Sequence, residues 1–371
     1  MKKVLPLFPF AFILFLSAQA QVTQINNNGS LEPLTPINET VLLLRSAIDG
    51  HLWVTQGTPG TTVKINNTIS AGSGGVLFNG KFIFAGTHTS TGSELYITDG
   101  TTLGTVLLKD IIAGEPGSFP DDFTVFNGHV YFSAATEASG RELWRTDGTA
   151  NGTVMVKDIN PGAGSSNLPG EYNFTQADNT LYFVSNGGSA GKELWKTNGT
   201  QEGTVMVKDI NTGDGSSDPQ YLWPLGNVLL FVARTTANGR EVWRSDGTEG
   251  GTFLLKDIIE GPISSTELEI APGFAFPITN GFHLFGNRAF FLASDGMNLG
   301  NIYETDGTTA NTKLLKTVVS GFSMPLVPIV LSVNMPGKFF FTVADAESRA
   351  EVWVSDGTPN GTTLFKSFFA V

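Results

Sequence analysis

One phrase returns seven times along this chain, and its spacing limits the fold more than any other feature. Clear copies run Glu94-Leu95-Tyr96-Ile97-Thr98-Asp99-Gly100-Thr101 and Glu142-Leu143-Trp144-Arg145-Thr146-Asp147-Gly148-Thr149, each followed by a second Gly-Thr and a Lys-Asp-Ile. The Gly-Thr core recurs at Gly57, Gly100, Gly148, Gly199, Gly247, Gly307 and Gly357. Repetition at about 50 residues is the mark of a propeller or solenoid array, in which each unit buries its apolar face only against its neighbours.

Within one unit the pattern reads as four short strands. Phe123 to Phe126 alternates, Asn127-Gly128 is a two-residue hairpin signal, and Val130 to Ala134 returns as a second strand. Glu142 to Thr146 supplies the third strand and Thr153 to Lys157 the fourth, across the Asp-Gly-Thr turn. First-hairpin equivalents stand at Asn79-Gly80, Asp178-Asn179, Gly226-Asn227, Gly286-Asn287 and Pro336-Gly337. No segment carries the apolar period of an amphipathic helix. The expected fold is therefore all-β, a seven-bladed β-propeller of four-stranded antiparallel blades, with blades near 31–66, 75–112, 122–160, 171–211, 220–259, 280–319 and 328–371. Ring closure is expected to join blades one and seven.

If Thr146 lies opposite Thr153, counting back along an antiparallel pair puts Trp144 opposite Met155 and Glu142 opposite Lys157. The same count pairs Glu94 with Lys109, Glu193 with Lys208, Glu241 with Lys256 and Glu351 with Lys366. Such cross-strand pairs contribute about 0.2–1 kcal/mol each.

Residues 1–20 read as a signal peptide: Lys2 and Lys3, an apolar stretch from Val4 to Leu16, and a cleavage site at Ala18-Gln19-Ala20. Residues 21–30 form an N-terminal extension and residues 31–371 one propeller domain. The expected address is outside the cytoplasm: periplasm, cell surface or medium. The apolar stretch is short for a membrane span and no later one is longer. The chain has no cysteine, so thiolate metal sites and cysteine nucleophiles are excluded, and 28 Phe with 6 Trp must build the core without disulfides. The formal net charge of −12 opposes binding to nucleic acid, whose recognition relies on Lys and Arg neutralising phosphates.

The octapeptide Glu-Leu-Trp-x-x-Asp-Gly-Thr, intact at Glu142 to Thr149 and near-intact in five other copies, resembles the bacterial ELWxxDGT repeat family of secreted proteins. The resemblance covers nearly the whole chain after the leader. It implies an exported β-propeller and no defined catalytic activity.

A residue repeated around a ring is suited to building the ring, whereas a catalytic centre is one asymmetric constellation. Asp99, Asp147, Asn198, Asp246, Asp306 and Asp356 are accordingly read as structural turn residues, able to bond the backbone two residues on. No metal site is assigned. Calcium is the one cofactor left open, because Asp110, Asp158, Asp209 and Asp257 precede Gly-rich loops whose oxygens suit a hard cation. Ligand-binding residues are sought where the repeat breaks, in the inter-blade loops and the loops between second and third strands. Asp121, Asp122, Glu171, Tyr172, Asp214, Asp218, Tyr221 and Trp223 come from the first set, and Arg141, Lys192 and Arg240 from the second. Aromatics among carboxylates and basic groups hold sugars or peptides by stacking and bidentate hydrogen bonding. The expected partner is a glycan or protein, bound without catalysis; the alternative is a polysaccharide hydrolase or lyase drawing its acid and base from the same carboxylates. Residues 259–281, apolar and Pro-bearing, form an insertion, with Phe322, Met324 and Leu326 as candidates to pack on it. His51, His88, His129 and His283 show no metal-ligand spacing.

Overall fold

The computed structural model describes residues 31–271, 274–278, 281–298, 300–319, 332–344 and 350–368. The expected leader and extension, the expected partners Phe322, Met324 and Leu326, and residues Pro272 and Gly273 of the insertion lie outside these. The described chain is all-β: seven four-stranded antiparallel sheets, spanning 31–64, 70–109, 121–157, 175–208, 220–256, 283–319 and 332–368, each with its strands in sequence order. These are the blades of a seven-bladed propeller.

The third blade shows why the sequence folds this way. Its strands are Asp121–Phe126, His129–Thr136, Gly140–Thr146 and Val154–Lys157. Asn127 and Gly128, at φ 47° and 72°, make the tight first hairpin, as Asn79 and Gly80 do in blade two at 49° and 74°. Both centres are left-handed, the twist that two-residue hairpins need and that Asn-Gly accepts at low cost.

The second hairpin departs from simple counting. The Thr146 and Thr153 hydroxyls meet at 2.7 Å and Trp144 lies opposite Met155, but Leu143, not Glu142, lies opposite Lys157. A bulge intervenes, so Val156 has no partner across the pair and turns inward, 6% exposed. Blades two, four, five and seven repeat it, with Leu95 opposite Lys109, Leu194 opposite Lys208, Val242 opposite Lys256 and Val352 opposite Lys366. The Glu–Lys pairs expected at 94/109, 142/157, 193/208, 241/256 and 351/366 therefore do not form.

In blades two, three and four both partners go elsewhere. Lys157 Nζ donates to the carbonyl of Thr204 and Lys208 Nζ to that of Thr252, both at 2.8 Å, tying a fourth strand to the residue that closes the Asn-Gly-Thr or Asp-Gly-Thr turn of the following blade. Glu142 is buried and accepts the amides of Ile159 at 2.8 Å and Ser166 at 3.1 Å, which lie in the loop leaving its own blade. Glu94 and Glu193 receive the matching amides and a serine hydroxyl, from Ser118 and Ser217.

Successive blades share apolar cores. Between blades three and four, Phe126, Tyr131, Leu143 and Val156 meet Tyr172, Phe183 and Trp195, all nearly or fully buried. Burial of each large side chain contributes about 1.5–3 kcal/mol. Like clusters join every consecutive pair from one–two to six–seven. Among the described residues no such cluster joins blade seven to blade one: Phe365, at the bulge position, is 64% exposed where Leu255 is at 0%. The insertion expected over 259–281 contains a two-stranded hairpin, Glu267–Ala271 with Phe274–Pro277, beside blade five.

The hydroxyl pair behind each turn gives a stability test. Thr146 also accepts the Gly148 amide at 3.0 Å, and Ser245 and Ser355 take its place in blades five and seven. Thr146→Val leaves that amide unpaired and takes a donor from Thr153, whose hydroxyl keeps its bond to Thr149 O at 2.7 Å, and is expected to cost about 1–3 kcal/mol in urea unfolding. Thr146→Ser is expected to stay within about 1 kcal/mol of the parent.

Candidate functional site

The inter-blade loops and the loops between second and third strands lie at one end of the propeller. Backbone bonds join them: Ala135 N–H to Ser118 O at 2.8 Å, Asn186 N–H to Ser166 O at 2.8 Å and Arg234 N–H to Ser217 O at 2.8 Å. The same end carries most of the strain. Eight described non-glycine residues have positive φ. Asn79, Asn127 and Asp178 are in hairpin turns; the other five, Phe119, Asp122, Asn173, Asp218 and Tyr221, all lie where the chain enters blades three, four and five. Non-hairpin residues held in this region cost about 1–3 kcal/mol each and concentrate at functional surfaces.

At this end the basic candidates are engaged by groups of the chain itself. In blade three Arg141, 6% exposed, donates to Ser133 Oγ at 2.8 Å, and Ser133 donates to Asp122 Oδ2 at 2.9 Å. Asp122 also accepts the Gly170 amide at 3.3 Å, and burial pushes its carboxyl upward. In blade four Lys192 Nζ meets Glu171 Oε2 at 2.7 Å, while Glu171 accepts the Leu168 amide at 3.0 Å. In blade five Arg240 donates through Nε to Glu267 Oε2 at 3.0 Å and through NH1 to Asp218 O at 2.7 Å. Arg234 donates to the other oxygen of Glu267.

The expected set thus divides. Tyr172 is fully buried, its hydroxyl 2.7 Å from Ser166 Oγ, and serves the core between blades three and four rather than a surface. Asp121, Asp218 and Tyr221 are half-buried, Asp214 is exposed, and Trp223 is 40% exposed on the first strand of blade five. Ser133, Arg234 and Glu267 belong to the site and were not singled out from the sequence. Arg234 was within reach of strand counting, being opposite Arg240, but Glu267 depends on the path of the insertion.

The repeated turn residues sit at the opposite end. The Oδ1 atoms of Asp99, Asp147, Asn198, Asp246, Asp306 and Asp356 each accept the amide two residues on, at 2.8–3.0 Å, and the hydroxyl of the same threonine. These bonds hold the aspartates below the usual carboxylate range. A polar pocket of about 170 Å³ at this end is lined by Asn287, Arg288, Glu304, Asp306, Asn311 and Lys313.

Histidines are dispersed, each on a local partner: His51 on Asp49, His88 on Ser90, His129 on Asn127 O and His283 on Asn334. In the loops considered for calcium, Asp158, Asp209 and Asp257 use Oδ2 to accept the amides of Gly162, Gly213 and Gly261. Among the described residues no three acidic or histidine side chains converge as a metal set.

The buried glutamates set a pH dependence. Desolvation outweighs their hydrogen bonds and raises Glu142 and Glu193 to about 7 and Glu241 to about 8. A carboxyl raised on folding contributes stability that is full below its ordinary value, near 4.5, and is lost as pH rises through the raised one. Asn301 holds the equivalent position in blade six, fully buried with a neutral amide that accepts Thr317 Oγ1 at 2.6 Å. Glu241→Gln is expected to fold and to flatten the decline in Tm between about pH 5 and 8, by at most about 1.4 kcal/mol per pH unit; thermal melts across that range measure it.

No family model matches the chain, and no curated protein does. Among solved structures it is similar to a puromycin-hydrolysing peptidase of Mycobacterium tuberculosis, at 12% identity and a TM-score of 0.44 over 92% of this chain and 54% of that one. It is similar also to apo AztD from Citrobacter koseri, at 13% identity and a TM-score of 0.41 over 92% and 86% of the two chains. A puromycin hydrolase S511A mutant gives 12% identity and a TM-score of 0.43, and the chain spans about half of its length.

Proposed function

We propose that this protein is a non-enzymatic recognition module, exported and of the ELWxxDGT repeat kind, whose loop end over blades three to five binds a glycan or a protein. The observation that carries this is the internal engagement of the charged candidates. Arg141 with Ser133 and Asp122, Lys192 with Glu171, and Arg240 with Glu267 are paired within the chain, and these pairs shape the surface. Hydrolysis of a glycoside needs an acid with a raised pKa and a second carboxylate facing a common cleft. Asp122 has the first property, but its Oδ2 is engaged by Ser133 and the Gly170 amide. Rigid loops with exposed Phe119, Leu168 and Trp223 among polar groups supply the mixture from which recognition surfaces are built.

The net charge of −12 supports a partner other than nucleic acid. No described helix is long and apolar enough to cross a membrane. The function is tested by a glycan array run beside a reducing-sugar assay on the same glycans. Binding without sugar release is the expected outcome. Release that disappears on Asp122→Asn, with the melting temperature unchanged, overturns the proposal in favour of a hydrolase.

A further inference from the structure

Blade five carries a charge arrangement that its neighbours lack. Arg234 and Arg240 are direct cross-strand partners on its second and third strands. At the same pair, blades two, three and four place Thr87 with Ser93, Ala135 with Arg141, and Asn186 with Lys192, never two cations. Like charges directly opposite one another destabilise a sheet unless an anion lies between them. Here the anion is Glu267, the first residue of the inserted hairpin, a segment specific to this position.

The cage around that carboxylate is well formed. Arg240 Nε donates to one oxygen at 3.0 Å; Arg234 and Ser264 Oγ, the latter at 3.2 Å, donate to the other. Arg240 is itself fixed by its bond to Asp218 O. The side chain of Arg240 is 8% exposed and that of Arg234 41%, so one wall is buried and the other open to solvent. Tyr221, half-buried in strained backbone, lies close enough to both Arg240 and Glu267 for their charges to act on its hydroxyl. Two guanidinium groups, a hydroxyl and a neighbouring aromatic ring are the groups that recognise a sugar carboxylate.

We propose that the Arg234–Arg240 pair is a binding site for a hexuronic acid carboxylate, and that Glu267 occupies it as an internal surrogate which the ligand displaces. This rests on the recognition reading above and names its ligand class. The acidic surface disfavours a polyanion, so the site fits one carboxylate borne on an otherwise neutral sugar rather than a run of acidic residues. A tethered carboxylate competes at an effective concentration of about millimolar order, which weakens the parent protein's affinity by the fraction of molecules in which the cage is open.

The test is calorimetric titration of the full chain with galacturonate, galactose and N-acetylglutamate. Glu267→Gln is expected to bind galacturonate at least about tenfold more tightly than the parent, with galactose unchanged and N-acetylglutamate weaker than galacturonate. Arg234→Gln added to Glu267→Gln is expected to abolish the gain. Should Glu267→Gln fail to fold, Glu267→Asp, too short to reach both guanidinium groups, is expected to show the same gain. Equal affinities in parent and variant, or a gain indifferent to Arg234, overturn the proposal; equal binding of N-acetylglutamate overturns its sugar assignment. Sugar release by the parent sinks the recognition reading while leaving variant-specific galacturonate binding intact, so the two failures are distinguishable.

Discussion

From blades two, three, four and five, the path of the chain to the following blade is fixed by a buried carboxylate. Glu94, Glu142, Glu193 and Glu241 are all fully buried and gather the amides of the loop that leaves their own blade. A loop of this length would otherwise have to bring several backbone donors into the interior without partners, at about 1–3 kcal/mol each. By accepting them, one glutamate turns the loop inward at Ser118, Ser166, Ser217 or Ser265, and each serine then offers its carbonyl to the second strand of the following blade. The set shape of the loop end, and therefore of any surface formed there, depends on this arrangement.

Much of the architecture was legible because it is local. Asn-Gly and its variants mark hairpins through φ requirements, and the Thr–Thr opposition across the turn places Trp144 correctly against Met155. The fate of Glu142 and Lys157 was hidden by one residue. Antiparallel counting assumes an unbroken ladder, and a bulge reverses facing beyond it. Val156 held the clue: unbroken counting makes it the partner of Leu143, yet the structure leaves it unpaired and buries it against blade four. The fourth-strand lysine, shifted by the bulge, then reaches across to the turn of the following blade instead of to its own glutamate.

The candidate site was legible in position but not in state. Loops that break the repeat do converge at one end, and Arg141, Lys192 and Arg240 do stand there. Sequence could not show that these cations have internal partners, because those partners are supplied from 19 residues away through Ser133 and Asp122, from 21 by Glu171 and from 27 by Glu267. Such distances along the chain are decided by loop geometry. Tyr172 illustrates the converse: an aromatic residue in an inter-blade segment reads as ligand-facing, yet the segment turns it into the core, where Phe174 and Phe183 stack on it with centroids 5.3 and 5.9 Å away.

Three kinds of carboxylate in this protein show how the same functional group takes different roles from its donors. Asp147 has a threonine amide and hydroxyl in a solvent-facing turn; those bonds favour its charge and make it a turn cap. Glu142 has comparable donors but no solvent, so desolvation wins and its proton is retained to about pH 7. Among the described residues Glu267 alone has two guanidinium groups, one of them open to water. The first two arrangements are satisfied by the backbone that creates them, and removing the carboxylate leaves amides wanting. The third is satisfied by two arginine side chains on the inner strands of blade five, which another well-shaped carboxylate can serve, and among the described residues it occurs once, on the inserted hairpin. Repetition therefore marks the carboxylates that build the wheel, and the break in repetition marks the one whose place another molecule can take.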